Sequence, residues 1–394
     1  MYKKIWDSWL FNVVKREVRR MINSWVYLFM TLLGPLLSFI IVMNIFVEGT
    51  PNNLPITVID YDNSALSRNI INMVNATKSV NIISSSLDLN QARNEMLKGS
   101  IDAILVVPQG FEKEVLRAQN KTLELYINNT NVLKGSLIQS DIYKAINTAS
   151  TGVKIQVAMK GGTKEEAAYA QSYPVQLDQH ILFNPYTNYS YFLATSLFPV
   201  LLIVFILLGS IYAIGIEIRE GTTKLWLEAA NNKINVAVIG KLLPYLFLMI
   251  VNTGISNYIL SEHLGFQIKG NWLIMMLGQI FMLVAYQATA IIMLCFSGNT
   301  RLSLSLGSAY SMMAITFSGL TFPVFAMPKL AQVFAHIFPF YYWMQIFMSQ
   351  GLRNAPIFQT IIPLLMLLLF IVVGWMLLPR LEKIILDSEF QNKL

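Results

Sequence analysis

Residues 25–46 run for 22 positions without a charged side chain, and similar uncharged apolar runs recur at 189–216, 242–260, 272–296, 302–327 and 357–378. A helix rises only about 1.5 Å per residue, so a bilayer core of about 30 Å takes roughly 20 apolar residues to cross. The runs therefore predict six transmembrane helices. Composition agrees, with 13% charged and 55% hydrophobic residues where soluble domains carry roughly 25% charge. A soluble enzyme, a secreted disulfide scaffold and a disordered chain are all excluded. The single cysteine, Cys295, lies inside an apolar run and leaves no intrachain disulfide, thiolate metal cage or iron–sulfur cluster.

The first 24 residues hold Lys3, Lys4, Lys15, Arg16, Arg19 and Arg20 beside Trp6, Trp9, Leu10, Phe11, Val14 and Val18. This pattern predicts an amphipathic interfacial helix over 1–24. The apolar run after it is longer than a signal-peptide core and has no small-residue cleavage site, which predicts a retained first span over 25–46. The net charge of +7 does not call for a polyanion partner. Residues 47–189 hold 12 basic and 13 acidic side chains, so the excess sits at the membrane edges. Six spans put fourteen basic residues on the side of both termini. They are the six named above, Arg219, Lys224, Lys233, Lys241, Arg301, Arg380, Lys383 and Lys393. Only Lys269, Lys329 and Arg353 fall in the short loops opposite. The positive-inside rule then places both termini in the cytoplasm, and with no RNA-binding aromatic motif or arginine-rich arm in the sequence no nucleic acid is expected among the partners.

Between the first two spans, 47–188 reads as a soluble domain. Short β-branched runs at 56–60, 80–83, 101–107 and 122–127 alternate with helical segments at 62–72, 88–98 and 108–118. Asp62 or Asn63 caps the first of these, Asp88 with Gln91 forms a capping box for the second, and Pro108 opens the third. Residues 132–172 read as helices interrupted at Gly161 and Gly162, and 175–183 as an extended return. The predicted fold is a polytopic α-helical membrane protein with an extracytoplasmic α/β domain inserted between helices 1 and 2. Asp60 and Asp62 have the spacing of a strand end and a helix cap, which outweighs an acid/base pair.

Residues 331–351 are apolar, but Pro339 breaks them, and a seventh crossing would put Arg380 and Lys383 outside. They predict a broken pair of helices at the outer surface, within an outer re-entrant segment 328–356 that covers something. No predicted span core holds Asp, Glu, Lys, Arg or His, which argues against an ion-driven carrier. No GxxxxGK followed by Ser or Thr is present, so nucleotide would bind on another polypeptide. His180, His263 and His336 are scattered without ligand spacing, so no metal site is expected.

The loop 217–241 begins Glu-Ile-Arg-Glu-Gly-Thr-Thr-Lys-Leu-Trp-Leu-Glu-Ala-Ala. Here the chain resembles the permeases of type-2 ATP-binding cassette (ABC-2) exporters, in the subgroup with a large extracytoplasmic domain between spans one and two. Glu217, Arg219, Glu220, Gly221, Thr222 and Thr223 match the family's ATPase-docking helix start, and Lys241 its following lysine. Ala229-Ala230-Asn231 stands where members commonly carry proline. Ile56 to Arg68, the Val-Pro-Gln-Gly-Phe turn at 107–111, and Pro323, Pro328 and Pro339 match further family patterns.

The resemblance implies a permease without a cofactor of its own, ATP and Mg being bound by ABC ATPase subunits. It implies pairing with a second permease copy or a paralogue in the cell inner membrane. In Gram-negative cells a periplasmic adaptor and an outer-membrane channel often complete such exporters, whose cargo is drugs or other amphipathic compounds. Pro323, Pro328 and Pro339 would form an outer gate. Asn252, Asn257, Gln279 and Gln287, the polar groups of the spans, line a path or tie helices together, and Ser311 and Ser318 share that choice. Gly307, Ser311, Ala314 and Ser318 form a small-residue face for packing within the subunit or for a dimer seam. Two other functions remain open at this level: ATP-driven mechanical work on an outer adaptor, and a receptor or anchor that transports nothing.

Overall fold

The computed structural model describes residues 2–85, 88–117, 119, 121–172, 180, 182–184 and 188–386. The chain divides into two compact units, one of Met1–Val47 with Leu182–Leu394, the other of Glu48–Ile181.

Helix α1 spans Tyr2–Ile22, and the chain then turns at Ser24, whose extended backbone starts a new helix. That helix, Trp25–Ile45, consists of α2 (Trp25–Leu28) and α3 (Gly34–Ile45) joined by a π turn at Phe29–Leu33. Pro35 has no amide to offer Thr31, four residues earlier. The Asn252 side-chain amide donates to the Thr31 carbonyl at 2.8 Å instead.

The second unit is an α/β sandwich of β1 (Leu54–Asp60), α4 (Ala65–Asn75), β2 (Val80–Ser85), α5 (Leu89–Lys98), β3 (Ala103–Val107), α6 (Phe111–Leu116), β4 (Glu124–Ile127), α7 (Val132–Lys160) and α8 (Glu165–Ser172). The sheet order is β2-β1-β3-β4, with β1 parallel to both neighbours and β4 antiparallel to β3. Val58 and Leu105 pack on Ile70, Val74, Ile138 and Ile142, while Ile59, Ile104 and Val106 pack on Ala92 and Ile101. Burial on both faces explains why β3 is a continuous apolar run.

Local chemistry moves several expected boundaries. Ser64, not Asp62 or Asn63, caps α4, exchanging hydrogen bonds at 3.0 Å with Ser67. Asp60 accepts from the amides of Asp62 and Asn63 and from the Ser67 hydroxyl at 2.6 Å, so it holds the turn. Asp62 accepts from the Glu112 amide at 3.0 Å. Slight burial raises its pKa, but the Ser64 hydroxyl and the amides of residues 110–112 outweigh this and hold it below its ordinary value. Helix α6 begins at Phe111 rather than at Pro108, because Gly110 at φ +77° makes the turn into it. Asp88 caps α5 by accepting from the Asn90 amide at 2.9 Å. The expected return over 175–183 lies largely outside the described residues.

The first unit continues with α9 (Tyr189–Arg219), α10 (Thr223–Ala229), α11 (Ile234–Leu264), α12 (Trp272–Ser297), α13 (Thr300–Thr316), α14 (Lys329–Ala335), α15 (Pro339–Ile346), α16 (Ile361–Met376) and α17 (Leu378–Leu386). Among the described residues five helices are long and apolar enough to cross a membrane: Trp25–Ile45, Tyr191–Arg219, Ile234–Leu264, Trp272–Ser297 and Ile357–Leu386. The protein is a multi-pass membrane protein. The expected fifth span, 302–327, is a helix only over α13, whose 17 residues reach about 26 Å. Gly319 at φ +85° and Pro323 then force irregular backbone. Helix α12 is central, packed against α9, α13 and α16. Gly374 of α16 lies so close to Ala288 that a Cβ there would come within 2.6 Å of the alanine Cβ.

Candidate functional site

Helix α9 does not stop where its apolar run stops. It carries Glu217 into its last full turn, fully buried. A buried carboxylate is tolerable only when paired and hydrogen-bonded, and this one is surrounded by donors. Arg16 of α1 approaches it in a fork, at 2.7 and 2.8 Å. Arg20, one turn later, reaches the same carboxylate and also Glu220 at 2.5 Å. From α11, Lys241 donates to Glu217 at 2.7 Å. The Thr222 hydroxyl adds a bond of 2.5 Å.

Lys241 is itself fully buried and lies between two carboxylates, its second partner being Glu17 of α1 at 2.6 Å. Tyr245 donates its phenol proton to Glu17 at 2.6 Å. Three cations and two buried carboxylates, with Glu220 at the rim, thus join α1, α9 and α11. For Arg20, burial works against the charge, but Glu217, Tyr27, Glu17 and Glu220 outweigh it and raise its pKa.

This network backs a short exposed element. Gly221 at φ +65° reverses the chain after α9, a backbone conformation glycine adopts without strain. Thr223 is buried and donates to the Glu217 carbonyl at 3.1 Å. Trp226 is buried, its indole donates to the Ala237 carbonyl at 3.2 Å, and Lys241 lies 5.3 Å from its ring centre. The opposite side of α10 offers Lys224, Leu225 and Glu228 to solvent, next to exposed Arg219 and Glu220. Leu225 is 61% exposed, an apolar side chain between charges. Successive left-handed residues Asn231 and Asn232 close the element where the resemblance expects proline.

The six candidate coupling residues thus separate into two sets. Arg219, Glu220 and Gly221 are exposed, whereas Glu217 and Thr223 face inward and the half-buried Thr222 bonds Glu217. Arg16, Arg20 and Lys241, expected to anchor at the membrane edge, are held by Glu217 instead. Sequence reasoning missed Glu17, Trp226 and Tyr245. The available signal was Glu17 itself, an acid at i+4 from Val13 and i−4 from Met21 on the buried face of a basic helix.

Elsewhere, Pro323 and Pro328 precede the 3₁₀ turn Val324–Ala326 and α14, and Pro339 is the first residue of α15. Stacked Phe317 and Phe338, 5.8 Å between centres, tie this segment to the end of α13. A cavity of about 680 Å³ beside it is bordered by Pro323, Gln332, His336, Tyr341, Gln345 and Arg353. Gln287 donates to the Leu242 carbonyl at 3.0 Å, and Gln279 accepts from Asn257 at 3.3 Å. With Asn252, these side chains bond between helices. Ser311 and Ser318 donate to carbonyls of their own chain turn, at Gly307 and Ile315. The face of Gly307, Ser311, Ala314 and Ser318 is buried within the chain, Gly307 against Ile211 and Leu208 of α9, so these residues pack inside the subunit. Among the described residues no group of His, Cys, Asp or Glu has the arrangement of a metal site.

A family model described as "ABC-2 family transporter protein" matches residues 25–378. No curated protein matches the chain.

Proposed function

The chain belongs to the ABC-2 transporter family and is a membrane transport component, and from that premise we propose that it is the permease of an ATP-driven exporter. A separate ABC ATPase, holding ATP and Mg, docks on the exposed side of α10. Both termini and α10 face the cytoplasm, the α/β unit lies outside, and α13 makes a sixth crossing. A second permease, identical or related, completes the path, and the cargo is a drug or another amphipathic compound. In a Gram-negative cell an adaptor and an outer-membrane channel would extend the route.

The observation supporting this reading is a projecting element with rigid backing. Arg219, Glu220, Lys224, Leu225 and Glu228 are exposed, while Trp226, Glu217 and Lys241 behind them are buried and bonded to α1, α9 and α11. A push on α10 is therefore delivered to three helices together instead of being absorbed by a loop. Helix α9, 31 residues long, carries the displacement about 46 Å along its axis. The proline-punctuated segment of Pro323, Pro328 and Pro339 is the proposed outer gate.

The test is co-reconstitution of the chain with the ATPase in vesicles, measuring ATP hydrolysis and accumulation of an amphipathic dye. Leu225→Glu with Glu228→Lys should abolish stimulation and accumulation, leaving insertion intact. Full accumulation in that variant would refute the docking assignment. Hydrolysis without accumulation in the wild type would favour mechanical work on an adaptor.

A further inference from the structure

Helix α1 advances 100° per residue and so presents three faces. Val13, Glu17 and Met21 are buried, and Arg16 and Arg20 beside them are taken by Glu217. Phe11 and Ile22, each 64% exposed, form with Val18 an outward apolar stripe. Lys15 and Arg19, four residues apart, are exposed and make no ion pair among the described residues. Lys15 is three residues before Val18, and Arg19 three before Ile22, so both cations border the stripe.

Beside this stripe runs a groove of about 630 Å³ between α1, the helix Trp25–Ile45 and α11. Its walls are apolar throughout, Val14, Val18 and Ile22 facing Leu28, Leu32 and Phe247. The four cations between Lys15 and Arg20 are thus divided, with Arg16 and Arg20 neutralised by Glu217 and Lys15 and Arg19 left at the edge of a hydrocarbon-lined trough.

The geometry points to a retained anionic phospholipid, one acyl chain in the groove and the headgroup phosphate on Lys15 and Arg19. An apolar peptide would fill the trough but leave both cations without a counter-charge. A zwitterionic lipid brings its own cation beside the phosphate and gains less from the pair. The lipid holds the outward face of α1 while Glu217 holds the inward face, so it steadies the helix to which α9 and α11 are tied. The site does not depend on the transport reading, because retention is a property of the chain alone.

The test is native mass spectrometry of the purified chain after exchange into micelles with equal amounts of phosphatidylglycerol and phosphatidylcholine. The wild type should retain phosphatidylglycerol preferentially. Lys15→Gln with Arg19→Gln should lower that preference on the order of 30-fold, about fivefold per cation. Val18→Trp, filling the trough without changing charge, should reduce retention of both lipids. Arg301→Gln, which removes an exposed cation on α13, should change nothing. Equal retention of the two lipids by the wild type would overturn the proposal. So would an unchanged preference in the double variant, wild-type retention in Val18→Trp, or an equal loss in Arg301→Gln. Each variant is first required to elute as the wild type does, and a variant that fails is replaced by Lys15→Ala with Arg19→Ala or by Val18→Phe.

Discussion

Replacing Lys241 by methionine removes the cation between two buried carboxylates, and the network predicts which of them suffers. Glu217 keeps Arg16, in a fork at 2.7 and 2.8 Å, and also keeps Arg20. Glu17 loses its 2.6 Å cation partner and, among the described residues, keeps the Tyr245 phenol as its side-chain donor. Stranding one member of a buried pair costs about 3–5 kcal/mol, whereas removing the whole pair is often close to neutral. Lys241→Met should therefore be severely destabilising. Glu17→Gln alone should cost less, since Lys241 retains Glu217 at 2.7 Å. The double variant should be more stable than Lys241→Met by about 2–3 kcal/mol, so the coupling in the cycle, which is that difference plus the cost of Glu17→Gln alone, should be at least that large. The assay is reversible unfolding in mixed micelles for the four proteins of the cycle. Additivity within about 0.5 kcal/mol would mean that Glu17 and Lys241 do not share one buried ion pair.

Other expectations follow from individual residues. Gly221→Val should lower the unfolding midpoint by the equivalent of about 1–3 kcal/mol through backbone strain at φ +65°, since no atom lies within 4 Å of the added Cβ. Gly221→Asn should cost clearly less, and an equal cost would contradict the strain argument. Gly374→Val should disturb the approach of α16 to α12, where even a Cβ meets Ala288 backbone atoms at 2.9 and 3.0 Å. A proteolysis or unfolding shift of about 1–3 kcal/mol is expected. The anion Asp62 has a depressed folded pKa, so its contribution is present above the unfolded value of about 3.9 and is lost as pH falls through the lower folded value. Hydrogen exchange in Phe111–Leu116 should therefore differ between wild type and Asp62→Asn near neutral pH and converge in acid; a difference independent of pH would contradict this.

The legible part of this protein was whatever a local pattern dictates. Uncharged runs gave the long helices because bilayer thickness sets their length, and β-branched runs between caps gave the four strands. Boundaries shifted where one residue's geometry decided the matter, as with Gly110 before α6 and Gly319 after α13. The loop 217–241 stood out by its charges, but its division into an exposed and a buried set did not. Glu217 meets Arg16 across 201 positions of sequence, and no periodicity encodes such a distance. The same holds for Lys241 and Glu17, which read as a surface anchor and an unremarked acid until α1 and α11 are packed together. Pro35 and Asn252 show the same limit, since the proline's missing amide is visible in sequence and the side chain that bonds the carbonyl is not.

The proposed coupling requires a separate ATPase on the exposed side of α10. The direct measurement is mild-detergent purification of the tagged chain from its native membrane, wild type beside Leu225→Glu with Glu228→Lys, with mass spectrometry of everything retained. Both substitutions are at exposed positions, where stability should change by no more than about 0.5 kcal/mol. A soluble polypeptide with a phosphate-binding Walker loop should accompany the wild type and be lost from the variant, while both chains remain folded. Recovery of that ATPase in equal amount with the variant, or its absence from the wild type, would mean that α10 is not the docking element.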